Sequence, residues 1–323
     1  MSSPFTYQLP ITIYDITFSS LDSGSISGFM GHTLHGALGH GIRRNACPEY
    51  AQTANTRCAT CSCLYKSLFE PQPDIPPEQQ ARYKKENIPK PYYIKTPYAY
   101  NKQVVTQGDQ LSWTLHVVGK TNPDLDLIAD VAETMCNSGL GLDSHPWNVD
   151  VVVSNTKTIE FKLPDCAEQH GAVTVHFISP FITSKEKMKI GTIPFSVLVT
   201  SVLERYRTYT MCYGDGAYLP DTELRRVLAD VYPVQITKQQ LQWRDLKRPG
   251  KAYKSGKSDY FMAGWTGSIQ YEKVPLWAIE TLRQMETLSI GQHTTFGFGQ
   301  YRIEIPQQDN TARKRVFRHR KSR

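Results

Sequence analysis

A chain of 323 residues, 40% hydrophobic and 21% charged, is long enough for two domains and too apolar for a disordered polymer. No run approaches the roughly 20 apolar residues of a membrane helix, and the start, MSSPFTYQLPITIYD, lacks the basic and apolar regions of a secretion signal. Seven cysteines without such a signal favour reduced thiols or a metal site over a disulfide framework, and a cytoplasmic location is expected.

The net charge of +7 is concentrated at one end. Of 37 Lys and Arg, seven fall in the last eleven residues, RKRVFRHRKSR, so the remaining 30 balance 30 acids. Such an arm suits polyanions, nucleic acid above all; a solubilising tail is the bland alternative.

In chain order, YQLPITIYDITFSS (7–20) alternates as a strand does, and SGFMGHTLHGALGHGIRR (27–44) has helical spacing with Ser27 as N-cap. A cysteine-bearing segment and a proline-rich loop, EPQPDIPPEQQ (70–80), follow. PYYIKTPYAY and DQLSWTLHVVG (109–119) read as strands, LDLIADVAETMCNSGLG (125–141) as an amphipathic helix ending in glycine, and WNVDVVVSNTKTIEF as another strand. The second half repeats the order: a strand (171–182), a helix (194–214), two strands joined by the basic connector KRPGKAYKSGK, a helix (274–290) and a last strand. Both halves match the β-α-β-β-α-β pattern of ferredoxin-like domains, an antiparallel sheet with helices on one face. The expected fold class is therefore α+β with two tandem ferredoxin-like domains. Their expected spans are 1–165, with a Cys-containing insertion at about 46–90, and 166–306, with a glycine-rich loop at 290–300. A basic tail occupies 307–323.

The stretch IGQHTTFGFGQYRI (290–303) places Gly291, Gly297 and Gly299 just before the final strand, where glycine weakens pairing unless positive φ or close approach requires it. Open N–H groups at Gly297 and Gly299 with the hydroxyls of Thr294 and Thr295 would suit phosphate oxygens. Packing between helix and strand is the other reading.

Four segments taken together carry a family resemblance: LHGALGHGIRRNAC (34–47), CATCSCLYKSLFEP (58–71), SPFITSKEKMKIGTIPFSVLVTSVLERYR (179–207), and GWTGSIQYEKV (264–274) leading into the glycine-rich stretch. The chain resembles the CRISPR-associated RAMP superfamily and, within it, the Cas6 repeat-RNA-processing endoribonucleases. The resemblance implies a protein that binds CRISPR repeat RNA and cuts it once without a catalytic cofactor. The implied attack of a 2′-hydroxyl leaves a 2′,3′-cyclic phosphate and a 5′-hydroxyl. It also implies other Cas effector subunits as partners, and no membrane. One departure is His35, where the family's LRGALG motif usually carries Arg.

That chemistry needs a base, an acid and cations around the phosphorane. On the first helix, Met30, Leu34, Ala37, Leu38 and Gly41 share one side, and His32, His35, His40 and Arg43 spread over the other with Gly36 and Gly39 between them. Imidazole titrates nearest neutrality, so His35 and His40, then His32, are the catalytic candidates, with Arg43 and Arg44 as RNA ligands; surface or capping roles are the alternative. Further RNA-binding candidates are His293 in the glycine loop, and Lys185, Lys187 and Lys189, which alternate in TSKEKMKIG. The connector lysines and Arg248, interleaved with Tyr253, rank below them. His116 and His176 read as structural and His145 as a turn residue. Finally, Cys47, Cys58, Cys61 and Cys63 form C-x10-C-x2-C-x-C, a spacing for structural zinc beside the first helix, with buried reduced thiols as the alternative. A non-cleaving RAMP subunit that only holds guide RNA, and a zinc-stabilised protein-interaction module, are the rival functions.

Overall fold

The computed structural model describes residues 6–52, 61–83, 88–141, 144–164, 169–183, 191–247 and 261–306. The first half contains β1 (Thr6–Ser20), a short β2 (Gly24–Ile26), α1 (Gly31–Ala46), α2 (Pro48–Gln52), α3 (Leu64–Phe69), β3 (Tyr92–Lys95), β4 (Gln103–Val105), β5 (Gln110–Val118), α4 (Leu125–Asn137) and β6 (Trp147–Lys162). The second contains β7 (His170–Phe181), α5 (Phe195–Tyr213), α6 (Asp221–Ala229), β8 (Gln235–Lys247), β9 (Phe261–Pro275), α7 (Leu276–Gln284) and β10 (Tyr301–Glu304).

Each half forms one four-stranded antiparallel sheet, ordered β3-β5-β1-β6 and β10-β7-β9-β8. Counting the four sheet strands of each half in chain order, both read 4-1-3-2, the ferredoxin-like arrangement. The repeated order of elements is thus a repeated topology.

Strand β1 shows how the halves join. Its apolar residues change parity along the strand: Tyr7, Leu9 and Ile11 are odd-numbered, Tyr14, Ile16 and Phe18 even-numbered, and all six are buried. Successive side chains point to opposite faces, so each set fills a different core. The even set packs with Leu34, Leu38 and Ile42 of α1 and Ile128, Val131 and Met135 of α4. The odd set joins Val202, Leu203 and Tyr206 of α5. Tyr206 Oη also donates to the Tyr7 carbonyl at 2.5 Å, so the long helix of the second half is seated on the first sheet.

The seam continues at the end of α7. Tyr93 Oη donates to the Thr287 carbonyl, Lys95 Nζ to the Glu286 carbonyl and Lys157 Nζ to Thr287 Oγ1, each at 2.8 Å. His116 lies buried among them, its ring 4.6 Å from that of Tyr93, with Thr114 Oγ1 2.8 Å from Nε2.

Local details depart from the sequence reading. Helix α1 starts at Gly31 after Met30, not at Ser27, because Ser27 Oγ spends its hydrogen bonds on the Phe29 backbone in the preceding turn. Helix α7 stops at Gln284 and a 3-10 turn, Met285–Thr287, replaces its expected last turn. Helix α6 and the β2–β4 pair were not foreseen. Among the described residues, no helix is long and apolar enough to cross a membrane.

Candidate RNA-processing site

The polar face of α1 opens into a cavity of about 430 Å³ lined by His35, Gly36, Gly39, His40, Arg43, Tyr50, Tyr65 and Phe69. Burial of Leu34, Leu38 and Ile42 against the sheet turns the opposite side of the helix outward, and this brings two of the three helix histidines and one arginine to the same space. His35 is half-buried and His40 exposed. The third, His32, is half-buried in the first turn and does not line this cavity. Arg44 is exposed beyond it.

His35 is held on several sides. Its Nδ1 lies 3.0 Å from Tyr92 Oη, and its ring lies 4.4 Å from that of Phe296 and 5.5 Å from that of Phe69. Tyr92 is fully buried, and burial raises its phenol well above the usual range, so it stays protonated. A protonated phenol can accept from Nδ1–H or donate to bare Nδ1. It therefore orients the ring in either protonation state. Arg43 is positioned by aromatic faces, its guanidinium carbon 5.1 Å from the Tyr50 ring centroid and 5.4 Å from that of Tyr65. Tyr50 also meets the His40 ring edge-on at 6.1 Å.

Phe296 belongs to the glycine-rich turn, so the second half packs against the pocket residue His35. The close approach depends on Gly31, where a Cβ would stand 1.8 Å from the Phe296 carbonyl oxygen. The turn itself corrects the phosphate expectation. The Gly297 N–H donates to the Thr294 carbonyl and the Gly299 N–H to the Pro180 carbonyl, both at 2.9 Å, and both glycines are buried. These amides are spent inside the loop, which needs their positive φ of 86° and 73° for its own path. At Gly299 a Cβ would fall 1.8 Å from the Ile290 carbonyl oxygen. Thr294 is buried as well, so the open part of the turn is Gly291 to His293 with Thr295 and Phe296. His293 has φ +60°, and burial lowers its imidazole below the ordinary value, favouring the neutral ring. The Gly291 carbonyl accepts from the Arg205 guanidinium.

The helix glycines also divide. A Cβ on Gly39 would meet Phe69 at 2.8 Å and one on Gly41 would meet Val131 at 2.9 Å, whereas nothing lies within 4 Å at Gly36. Only Gly36 keeps helix surface bare toward the cavity.

Cys47, Cys61 and Cys63 come together, their sulfurs all within 4.8 Å of one another. Cys58, Lys185, Lys187 and Lys189 lie outside the described residues, as do the basic connector from Arg248 and the tail from residue 307. His145 is buried with Nε2 2.6 Å from Ser20 Oγ, and His176 pairs with Glu304 at 3.1 Å, both away from the pocket. A larger groove of about 1090 Å³ runs past His170, Lys273 and Pro306, but it holds a single histidine and lies away from α1. Sequence reasoning missed Tyr92, Tyr50, Tyr65, Phe69 and Phe296. Their aromatic character was visible, but their convergence on α1 was not.

Two ferredoxin-like domains joined through one common hydrophobic cluster, with a histidine- and arginine-lined pocket beside the glycine turn, have the architecture of a tandem RAMP-like fold. The comparisons agree with that class: a family model described as an N-terminal domain, AF_1859_N, matches residues 9–169, and the CRISPR-associated endoribonuclease Cas6 model matches residues 175–301. Residues 175–301 therefore form a Cas6-family domain. Among solved structures, a Cas6 product complex has a TM-score of 0.51 at 14% identity, covering 91% of this chain and 100% of that one. A chain of a partial Cas6-RT-Cas1–Cas2 complex has a TM-score of 0.52 at 11% identity, covering 93% of this chain and 47% of that one. Thermus thermophilus Cas6 follows at 12% identity, with 94% and 100% covered and a TM-score of 0.47. At these identities the likeness is one of fold. No curated protein matches the sequence.

Proposed function

We propose that the protein binds CRISPR repeat RNA and cleaves it in the α1 pocket, with His35 as the principal proton-transfer group. The observation that carries this reading is the arrangement around His35: one ring nitrogen beside the Tyr92 hydroxyl, the rings of Phe69 and Phe296 packed nearby, and Arg43 and His40 lining the same cavity. A positioned imidazole supplies typically 10²–10⁴-fold by general acid–base catalysis, and an adjacent guanidinium stabilises charge building on a phosphorane.

In this mechanism a base takes the proton of the ribose 2′-hydroxyl and the 2′-oxygen attacks the adjacent phosphorus. The bond to the 5′-oxygen breaks, and an acid protonates that leaving oxygen. The products are a 2′,3′-cyclic phosphate and a 5′-hydroxyl. His35 and His40 divide the two proton transfers, Arg43 faces the phosphorane, and Arg44 and the open part of the glycine turn grip flanking RNA. No metal takes part in these steps. The lysines at 185, 187 and 189 and the basic tail extend the phosphate contacts. Residues 1–165 and 166–306 serve as the two domains that the strand between them must span, and other Cas subunits are the expected protein partners.

The test is repeat RNA incubated with enzyme in EDTA, followed by analysis of the new ends. Cyclic phosphate and 5′-hydroxyl products that His35→Ala and His40→Ala reduce at unchanged RNA affinity support the reading. RNA that stays bound and intact assigns the protein instead to the non-cleaving subunits. Loss of RNA binding altogether would leave the interaction-module alternative standing.

A further inference from the structure

Beside the pocket, and independent of its chemistry, lies a group of three cysteine sulfurs. Cys47 is the residue after α1 and Cys63 immediately precedes α3, so the two helix ends bring their sulfurs together with that of Cys61. The Cys47 and Cys61 sulfurs are 3.7 Å apart. Four sulfurs at about 2.3 Å from a tetrahedral zinc are about 3.8 Å from one another, so this spacing already suits a shared ion. Cys47 and Cys63 are buried, with Tyr50, Cys61 and Tyr65 packed against them. Backbone N–H groups of Lys66 and Tyr65 hydrogen-bond to the Cys63 sulfur and fix its position. Cys136 and Cys212, by contrast, stand apart from the group.

Cys61 is disulfide-bonded in this structure, whereas Cys47 and Cys63 are in the thiol form. A disulfide and a thiolate site are alternative states of such a cluster. A dithiol reductant takes up the two-electron oxidation as its own disulfide, and each released thiol then gives up a proton on binding a cation.

We propose that the reduced protein binds one zinc ion through Cys47, Cys61 and Cys63, and that this ion fixes the aromatic rim of the α1 pocket. The rim follows from shared residues. Tyr50 and Tyr65 pack on the thiols, line the cavity and flank the Arg43 guanidinium on their ring faces. Zinc at the thiols therefore clamps the end of α1 to α3 and holds those rings, and with them Arg43, in place. The role is structural, and thiolate ligation is the donor chemistry zinc selects.

The experiment uses the full chain purified under a dithiol reductant, loaded with zinc alone and freed of excess metal. About one zinc per chain is expected by elemental analysis, released stoichiometrically by an organomercurial. Zinc-edge X-ray absorption should show at least three sulfurs at about 2.3 Å. Cys61→Ser and Cys63→Ser should lose the ion, while Cys136→Ser and Cys212→Ser keep it. If the first two variants fail to fold, the absorption spectrum of the unaltered protein still decides. Zinc ligated mainly by nitrogen or oxygen, a stoichiometry near zero in the reduced chain, or full zinc retention in Cys63→Ser would each overturn the proposal. None of these readouts involves RNA, so they stand or fall apart from the cleavage reading.

Discussion

The ring of Phe296 lies 4.4 Å from the ring of His35, although the two residues sit in opposite halves of the chain. The contact makes helix α1 of the first domain depend on the glycine turn of the second. His35 is thereby packed between Phe296 and Phe69 and hydrogen-bonded to Tyr92, and each partner restrains a different motion of the ring.

Loosening those restraints should lower turnover more than binding. Phe296→Leu is expected to reduce kcat about 10- to 100-fold, the scale on which misplacement of a reacting group is felt. Tyr92→Phe, which deletes one hydrogen bond of about 0.5–1.5 kcal/mol, should reduce it about 3- to 10-fold. Single-turnover cleavage alongside equilibrium RNA binding separates the effects; KM rising while kcat holds would contradict both expectations.

Glycines of the first helix and of the glycine-rich turn should respond in opposite directions. Gly36→Ala meets open space and gains helix propensity of about 1 kcal/mol, so thermal stability should rise while RNA affinity falls, because a methyl group then occupies the bare face. Gly299→Ala combines a φ of +73° with a clash against the Ile290 carbonyl, and should cost about 2 kcal/mol or more. Melting temperatures of the two variants give the comparison.

An ion-pair network around the buried Arg207 ties the insertion to α5 and α6. The Arg207 side chain is fully buried, with Nη2 2.5 Å from Glu204 Oε1 and Nη1 2.6 Å from Asp221 Oδ1, and Arg82 bonds the same two acids. Glu204→Ala leaves Arg207 with one carboxylate fewer and should destabilise by about 3 kcal/mol, whereas Arg207→Met, which removes the buried charge, should cost less. Hydrogen bonding to Arg207 holds the Asp221 carboxyl below its usual range. Its share of stability is therefore present above the ordinary pKa of 3.8 and lost as pH falls through the lowered folded value. Solvent exposure of Asp221 keeps that share small. Urea midpoints across pH 2–6, with and without Asp221→Asn, check it.

At the domain seam, burial lowers Lys95 from 10.5 to about 8, opposed by Glu286 and reinforced by Lys157. Between those values the unfolded chain binds more protons than the folded one, so stability from this group rises with pH. Below about 8 both states are protonated and the penalty is complete; above 10.5 both are neutral and it vanishes. The wild type should gain stability relative to Lys95→Met by roughly 1–3 kcal/mol from pH 7.5 to 10. Urea unfolding of both proteins at the two pH values removes the common tyrosine titrations from the difference, and a flat difference would refute the assignment.

Much of this architecture was written in local pattern. Alternation over residues 7–20, helical spacing around His35 and the repeated order of elements sufficed for two ferredoxin-like domains, because strand and helix periods are properties of neighbouring residues. Even the parity change within β1 is visible as Tyr7, Leu9, Ile11 followed by Tyr14, Ile16, Phe18. Which glycines open to solvent and which are spent on packing was decided only in three dimensions: Gly36 and Gly39 look alike along the chain, yet Phe69 fills the space beside one alone. The same holds for Gly297 and Gly299, whose amides are spent on the Thr294 and Pro180 carbonyls, and for Tyr92 and Phe296, drawn to His35 from distant segments. Periodicity reports which side of an element is buried. Only the meeting of elements far apart in sequence determines what that side, and its opposite, will touch.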